Sequence, residues 1–90
     1  MKIPTSFECL GTTYSVTRKT LPQKYGHFDP KKCEIVIHKN LTDELAQLTF
    51  WHEFMHCALY TLSYKDLWDD EELVERLGQV THQMLKTAQS

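Results

Sequence analysis

The residues whose types and spacing most clearly suggest catalysis or metal binding lie in the segment FWHEFMHCAL, which begins at Phe50. In it His52, Glu53 and His56 form the pattern H-E-x-x-H, with the two histidines four positions apart. On a helix such residues lie on one face about a turn apart, so both imidazoles can point at one metal ion. The glutamate between them can act as a general base on a metal-activated water. The pattern therefore predicts a Zn²⁺ site in which this helix supplies two ligands and a base.

The alternative is an amphipathic helix that carries two histidines by coincidence. Both histidines share a helix face with Leu45, Leu48 and Leu59. Two imidazole rings without partners are costly to bury on such a face, and a metal ion would satisfy them. The helical context therefore favours zinc over histidines satisfied in a protein core.

A catalytic zinc needs a third protein ligand, and the acidic run that begins at Asp69 is the natural downstream source. On a helical wheel Glu71 lies about 40° beyond the apolar face of the second predicted helix, whereas Glu72 and Glu75 lie about 80° beyond it on opposite sides. That apolar face comprises Leu73, Val74, Leu77, Val80, Met84 and Leu85.

Glu72 also fits a capping box with Asp69, which leaves Glu71 as the favoured third ligand. Glu72 is the main alternative ligand, and Glu75, His82 or an aspartate remain open. Glu75, one turn beyond Glu71, is predicted to accept a hydrogen bond from a ligating imidazole instead.

The order of predicted elements indicates an α+β domain with three to four strands in an antiparallel or mixed sheet and two helices. Alternating residues around Phe7 to Cys9 and Tyr14 to Val16 predict a hairpin, and further strands end at Phe28 and cover Ile35–Ile37. The first helix is predicted over Asp43–Leu62 with Thr42 as its cap, and the second follows an Asp69 cap and runs to about Lys86.

Length and charge limit the classes of partner. Ninety residues predict one domain spanning positions 1–90, and the net charge of -2 argues against binding to nucleic acid or a membrane surface. No signal peptide or membrane span is recognised, which predicts a cytoplasmic protein. Cys9, Cys33 and Cys57 contain no C-x-x-C pair and are predicted to be reduced thiols.

The segment FWHEFMHCALY, preceded by EIVIHKNLTDELAQLT and followed by DDEELVERLGQ, resembles the small phage-type ImmA/IrrE-like zincin metallopeptidases. The likeness covers about Tyr25 to Met84. It implies a minimal zincin-like domain with a gluzincin-like site, because the family's E-x-x-x-N/D/E pattern falls on Glu71 with Glu75 four residues later. It also implies that the strand before the metal helix, Ile35–Val36–Ile37, walls the cleft, and its free edge would pair with an extended peptide.

These features predict a zinc-dependent metalloendopeptidase that hydrolyses a protein or peptide substrate. The alternative is a phage-encoded regulatory or protein-binding module that keeps zinc only for stability.

Overall fold

The computed structural model describes residues 2–89, in which a four-stranded sheet packs against the first of two helices and the second helix packs on the first. The elements are β1 (Ser6–Cys9), β2 (Thr12–Lys19), β3 (Gly26–Asp29), β4 (Glu34–His38), α1 (Asp43–Thr61) and α2 (Glu71–Thr87). The strand order is β1-β2-β4-β3, with β2 and β4 parallel and the two outer pairs antiparallel. The predicted α+β class with a mixed sheet is confirmed.

Local sequence explains the two tight connections in the sheet. Leu10 and Gly11 both have positive φ angles, 49° and 85°, as a two-residue turn between β1 and β2 requires. Between β3 and β4, the Asp29 carboxylate accepts hydrogen bonds from the backbone N–H groups of Lys31 (3.0 Å) and Lys32 (3.2 Å). The predicted turn at Asp29-Pro30 is therefore held by the aspartate itself.

The core lies between the sheet and α1. Its buried members are Tyr14, Val16, Phe28, Ile35, Ile37, Ala46, Phe50 and Cys57.

The position of β4 corrects one expectation about the cleft. β4 lies between β2 and β3 and pairs with both, so Ile35, Val36 and Ile37 have no free edge. The expectation that this strand pairs with a substrate is wrong. The physical reason is that an uninterrupted β-branched run is buried on both faces of the sheet, as the central position requires. Within residues 2–89 the free edge beside α1 belongs to β3.

α1 begins as predicted. The Thr42 hydroxyl accepts a hydrogen bond from the Leu45 N–H at 3.3 Å, and the acidic side chains of Asp43 and Glu44 occupy the positive end of the helix dipole. The helix ends at Thr61, with Leu62 as its cap.

α2 begins one residue later than predicted. Asp70, not Asp69, is the N-cap, and its carboxylate accepts the Leu73 N–H at 3.0 Å. The chain reaches this point through a turn in which the Asp70 N–H donates to the carbonyl of Leu67. Because the residue three positions after Asp70 is Leu73, the expected capping box does not form. Glu72 instead accepts a hydrogen bond from Arg76 at 3.4 Å.

α2 packs on α1 through a narrow face formed by Val74, Gly78 and His82. A Cβ atom at Gly78 would lie 3.0 Å from the backbone nitrogen and 3.1 Å from the Cα of His52. A side chain at this position would require the two helices to separate by a few tenths of an ångström. Of the apolar face predicted for α2, only Val74 is buried and Leu73 is half-buried.

Two further expectations concern the chain as a whole. The three cysteines form no disulfide within the described residues, and burial raises the pKa of the Cys57 thiol to about 12, so this thiol stays protonated. No helix in the described part of the chain is long and apolar enough to cross a bilayer.

Replacing Gly78 with alanine tests the helix contact. Alanine is favoured over glycine inside a helix by about 1 kcal/mol, but overpacking against backbone atoms that cannot move aside costs about 1–3 kcal/mol. We expect Gly78→Ala to lower the free energy of unfolding by roughly 1 kcal/mol in urea denaturation. Gln79→Ala, at the exposed neighbouring position, is the control. A Gly78→Ala variant as stable as this control would contradict the close contact.

Candidate metal centre

Two histidines of α1 and one glutamate of α2 meet at one point. His52 Nε2 lies 3.2 Å from Oε2 of Glu71, and His56 Nε2 lies 2.9 Å from Oε1 of the same carboxylate. One ligand atom from each of the three residues lies within 4.8 Å of the other two. Zinc bonds of about 2.0–2.1 Å in a tetrahedral site separate neighbouring ligand atoms by roughly 3.3 Å. The observed spacing therefore fits one small divalent ion.

The outer nitrogens of the imidazoles have their own partners. The Nδ1–H of His56 donates to the backbone carbonyl of Trp68 at 2.6 Å, so in the neutral imidazole the lone pair available to a metal is on Nε2, which is directed toward Glu71. Sequence reasoning missed this contact, because a backbone carbonyl can come from any residue type. Nδ1 of His52 faces Oε2 of Glu75 at 3.6 Å, an ion-pair distance rather than a hydrogen bond. Glu75 thus lies on the outer side of the His52 ring and does not belong to the cluster of His52, His56 and Glu71.

Glu53 is buried next to this cluster, with 7% of its surface exposed. Burial raises the pKa of Glu53, and the neighbouring His52 and His56 act in the opposite direction when they are charged. A raised carboxyl pKa brings the group closer to neutral pH, which suits proton transfer by a general base.

Gly26 of β3 determines how closely the sheet approaches Glu53. A Cβ atom at this position would lie 2.6 Å from Cγ2 of Thr49 and 2.9 Å from Cγ of Glu53. Any larger residue would displace one of these side chains. Gly26 was not identified from the sequence, because a glycine at a strand end has many ordinary explanations.

The other candidate ligands lie elsewhere. Glu72 pairs with Arg76, and Asp70 is occupied as the helix cap. His82 is buried between the helices with 8% of its surface exposed, and its Nε2 has no hydrogen-bond partner within residues 2–89. It does not belong to the cluster formed by His52, His56 and Glu71.

A groove of about 600 Å³ opens over the cluster. One wall is the edge strand β3 with the residues before it, and the other is the start of α2. The residues that line it, besides the ligand cluster, Glu53 and Glu75, are Lys24, Tyr25, Gly26, His27, Phe28, Leu45, Leu48, Thr49, Trp68 and Asp69. The predicted wall strand, Ile35–Ile37, is not among them.

No protein-family model, curated protein or solved structure matches this chain. The interpretation of the site therefore depends on the arrangement of its own residues.

Paired substitutions of adjacent acids test the ligand set. Removing a residue that only hydrogen-bonds to a metal ligand lowers metal affinity by about 10–100-fold. We expect Glu71→Gln, which removes a ligand itself, to weaken Zn²⁺ binding by on the order of 100-fold, the upper end of that range. Glu72→Gln removes the same charge from the same helix turn and should change the affinity less than ~3-fold, because exposed charges are strongly screened by solvent. Competition with a fluorescent chelator measures both. Equal effects of the two substitutions would contradict the assignment of Glu71.

The buried carboxyl of Glu53 predicts a pH-dependent effect on stability. A pKa raised above the ordinary 4.5 means that the folded state binds this proton more tightly than the unfolded state, so stability falls as pH rises through that window. Glu53→Gln should therefore raise the Tm of the metal-free protein at pH 7, by a few degrees for each ~1 kcal/mol gained in the free energy of unfolding. At pH 4 it should leave the Tm unchanged. Calorimetry in the presence of a chelator measures the difference. A Tm gain that is the same at both pH values would contradict burial of a charged Glu53.

Proposed function

We propose that this chain is a zinc-dependent endopeptidase. The single observation that carries the proposal is the convergence of two imidazoles and one carboxylate from different helices beside a buried second carboxyl, at the floor of a groove. Two imidazoles and a carboxylate are a ligand set that zinc enzymes use when one coordination position is kept for water or substrate.

In this proposal His52, His56 and Glu71 hold the ion. Zinc held by these residues would supply Lewis-acid chemistry, by lowering the pKa of a water and polarising a peptide carbonyl. Glu53 accepts the proton of the attacking water and later passes it to the leaving amine. Its burial keeps bulk water from competing for that proton, and the close contact with Gly26 holds its side chain in place.

The edge of β3 offers a way to hold a peptide substrate. The carbonyl of Tyr25 accepts a hydrogen bond from the His38 N–H at 2.7 Å, so alternate residues of this strand bond inward to β4. The residues between them, Gly26 and Phe28, therefore direct their backbone N–H and C=O groups to the free edge. An extended peptide can add to this edge as a further strand, with its backbone passing along the groove. This replaces Ile35–Ile37 as the substrate strand.

The same proposal places the chain with the ImmA/IrrE-like zincin metallopeptidases that its motifs resemble. It also places the protein in the cytoplasm, of the host if it is phage-encoded, since three free thiols fit a reducing compartment. Its partner is a protein or peptide.

A second candidate function is a zinc-stabilised binding module without catalysis. The observation that favours it is the thin contact between α1 and α2, in which α2 buries only Val74, Gly78 and His82 among the described residues. A metal ion shared by both helices would add its binding free energy to the stability of this contact.

Glu53→Gln separates the two functions. We expect the zinc-loaded variant to keep its metal and to lose about 10²–10⁴-fold in peptide hydrolysis, because the ligands remain and the base does not. Mass spectrometry of a diverse peptide library, with zinc content measured on the same samples, gives both readouts. Glu72→Gln is the control that should cleave like the unmodified protein.

Two outcomes would contradict the peptidase proposal. Hydrolysis that persists in Glu53→Gln would remove Glu53 from its role. A fully zinc-loaded, unmodified protein that cleaves nothing in the library would favour the binding module.

A further inference from the structure

α2 carries two distinct stripes of residues. Val74, Gly78 and His82 face α1, but a second stripe of Leu73, Leu77, Val80 and Met84 lies roughly 130° around the helix from them at about 100° per residue. Within this stripe Val80 is 67% exposed, Met84 55% and Leu77 39%, while Leu73 is half-buried. A surface helix ordinarily turns its apolar stripe toward the core. Here most of that stripe faces outward.

The stripe is separate from the metal groove. Glu71 and Glu75, which face the histidines, lie roughly 150–170° from the centre of the stripe on the helical wheel. A partner bound to the stripe would therefore leave the groove open, and the stripe is not explained by substrate binding.

The spacing of the stripe indicates the type of partner. Its positions follow one another at intervals of four, three and four residues, the repeat that lets one helix pack lengthwise against another with interlocking side chains. Contiguous exposed apolar surface of this kind is typical of interaction sites. Because the stripe is close to symmetric about the midpoint between Leu77 and Val80, a second helix with the same sequence fits it in the opposite direction.

We propose that the stripe binds a second copy of this chain, with the two α2 helices antiparallel about a twofold axis. In this arrangement Leu77 packs against Val80 of the copy and Leu73 against Met84, so each apolar residue has an apolar partner. The contact is isologous and closes as a dimer.

Charge favours the antiparallel orientation. The register places Arg76 beside Gln83 of the copy on the open flank of the stripe, where the guanidinium can donate to the amide oxygen. The acidic first turn, with Glu71 and Glu72, then lies toward the end that carries Lys86, which pairs with Glu44 of its own chain, so the two acidic first turns are kept apart. A parallel pair would instead bring the two acidic first turns together, and it would align the two helix dipoles unfavourably.

Analytical ultracentrifugation of the full chain tests the proposal. A contact through one helix per subunit is small, so we expect dissociation in the range of about 1–100 μM, with the mass rising from 10.6 kDa toward twice that value as concentration increases. Val80→Lys should weaken the dimer at least about 10-fold, since it buries a charge in the centre of the stripe. Gln79→Lys adds the same charge on the exposed neighbouring position and should dimerise like the unmodified chain.

Circular dichroism should show both variants folded, because Val80 is 67% exposed and contributes little to the stability of the monomer. A chain that stays monomeric up to about 500 μM, well above the expected range, overturns the proposal and assigns the stripe to a different partner. Equal dimerisation of Val80→Lys and Gln79→Lys overturns it as well.

Opposite charges at residue 83 test the orientation. Gln83→Glu should tighten the dimer about 3-fold, because it creates two ion pairs with Arg76, and Gln83→Arg should loosen it by a similar factor. In a parallel pair residue 83 lies near Ala88 of the copy, and neither substitution would matter. Dissociation constants that are the same for both variants overturn the antiparallel dimer.

Discussion

The contact between Gly78 of α2 and the backbone of His52 in α1 is the constraint on which the candidate site depends. With no side chain at position 78, the two helices approach until a Cβ atom would stand 3.0 Å from the His52 nitrogen. Glu71 precedes Gly78 by seven residues, or about two turns of helix, and so lies on nearly the same face of α2. The close approach at Gly78 thus brings the Glu71 carboxylate to both imidazoles. A wider spacing of the helices would leave two histidines on one helix and an isolated acid on another.

The remaining geometry comes from elements that do not depend on that contact. The Trp68 carbonyl, in the turn between the helices, fixes the tautomer of His56, and Gly26 on the edge strand confines Glu53.

The charges that line the groove also favour a bound cation. Glu53, Glu71 and Glu75 converge on one groove, where Lys24 is the neighbouring cation. Glu53 is buried, and the charge of the nearby Glu71 raises its pKa further; a divalent cation bound between the two carboxylates would remove that repulsion.

The part of this arrangement that could be predicted is the part encoded by side-chain type and helical period. The spacing of His52 and His56 specifies a shared face. The wheel favours Glu71 because it is the acid nearest the predicted apolar face of α2, although of that face only Val74 is buried. The cap at Thr42 likewise determines where α1 begins. At α2 the signal was ambiguous by one residue, since Asp69 and Asp70 are both good caps and the turn from Tyr64 selects the second.

Strand order and backbone contacts could not be predicted from side-chain type and helical period. Which strands pair is decided by contacts distant in sequence, so the free edge that the family resemblance implies for Ile35–Ile37 could not be checked before the sheet order, in which β4 is central, was known. One signal against that edge was present in the sequence, because three consecutive β-branched residues indicate burial on both faces. The roles of Gly26 and the Trp68 carbonyl have no such signal, since they depend on an absent side chain and a main-chain atom.

The measurement that tests the central claim most directly is a crystal structure of the zinc-soaked protein with anomalous data collected on both sides of the zinc absorption edge. The predicted result is one zinc peak bonded to Nε2 of His52, Nε2 of His56 and a carboxylate oxygen of Glu71, at about 2.0–2.2 Å, with no fourth protein ligand. A peak elsewhere in the chain, a site closed by a fourth protein ligand, or no peak at saturating zinc would contradict it.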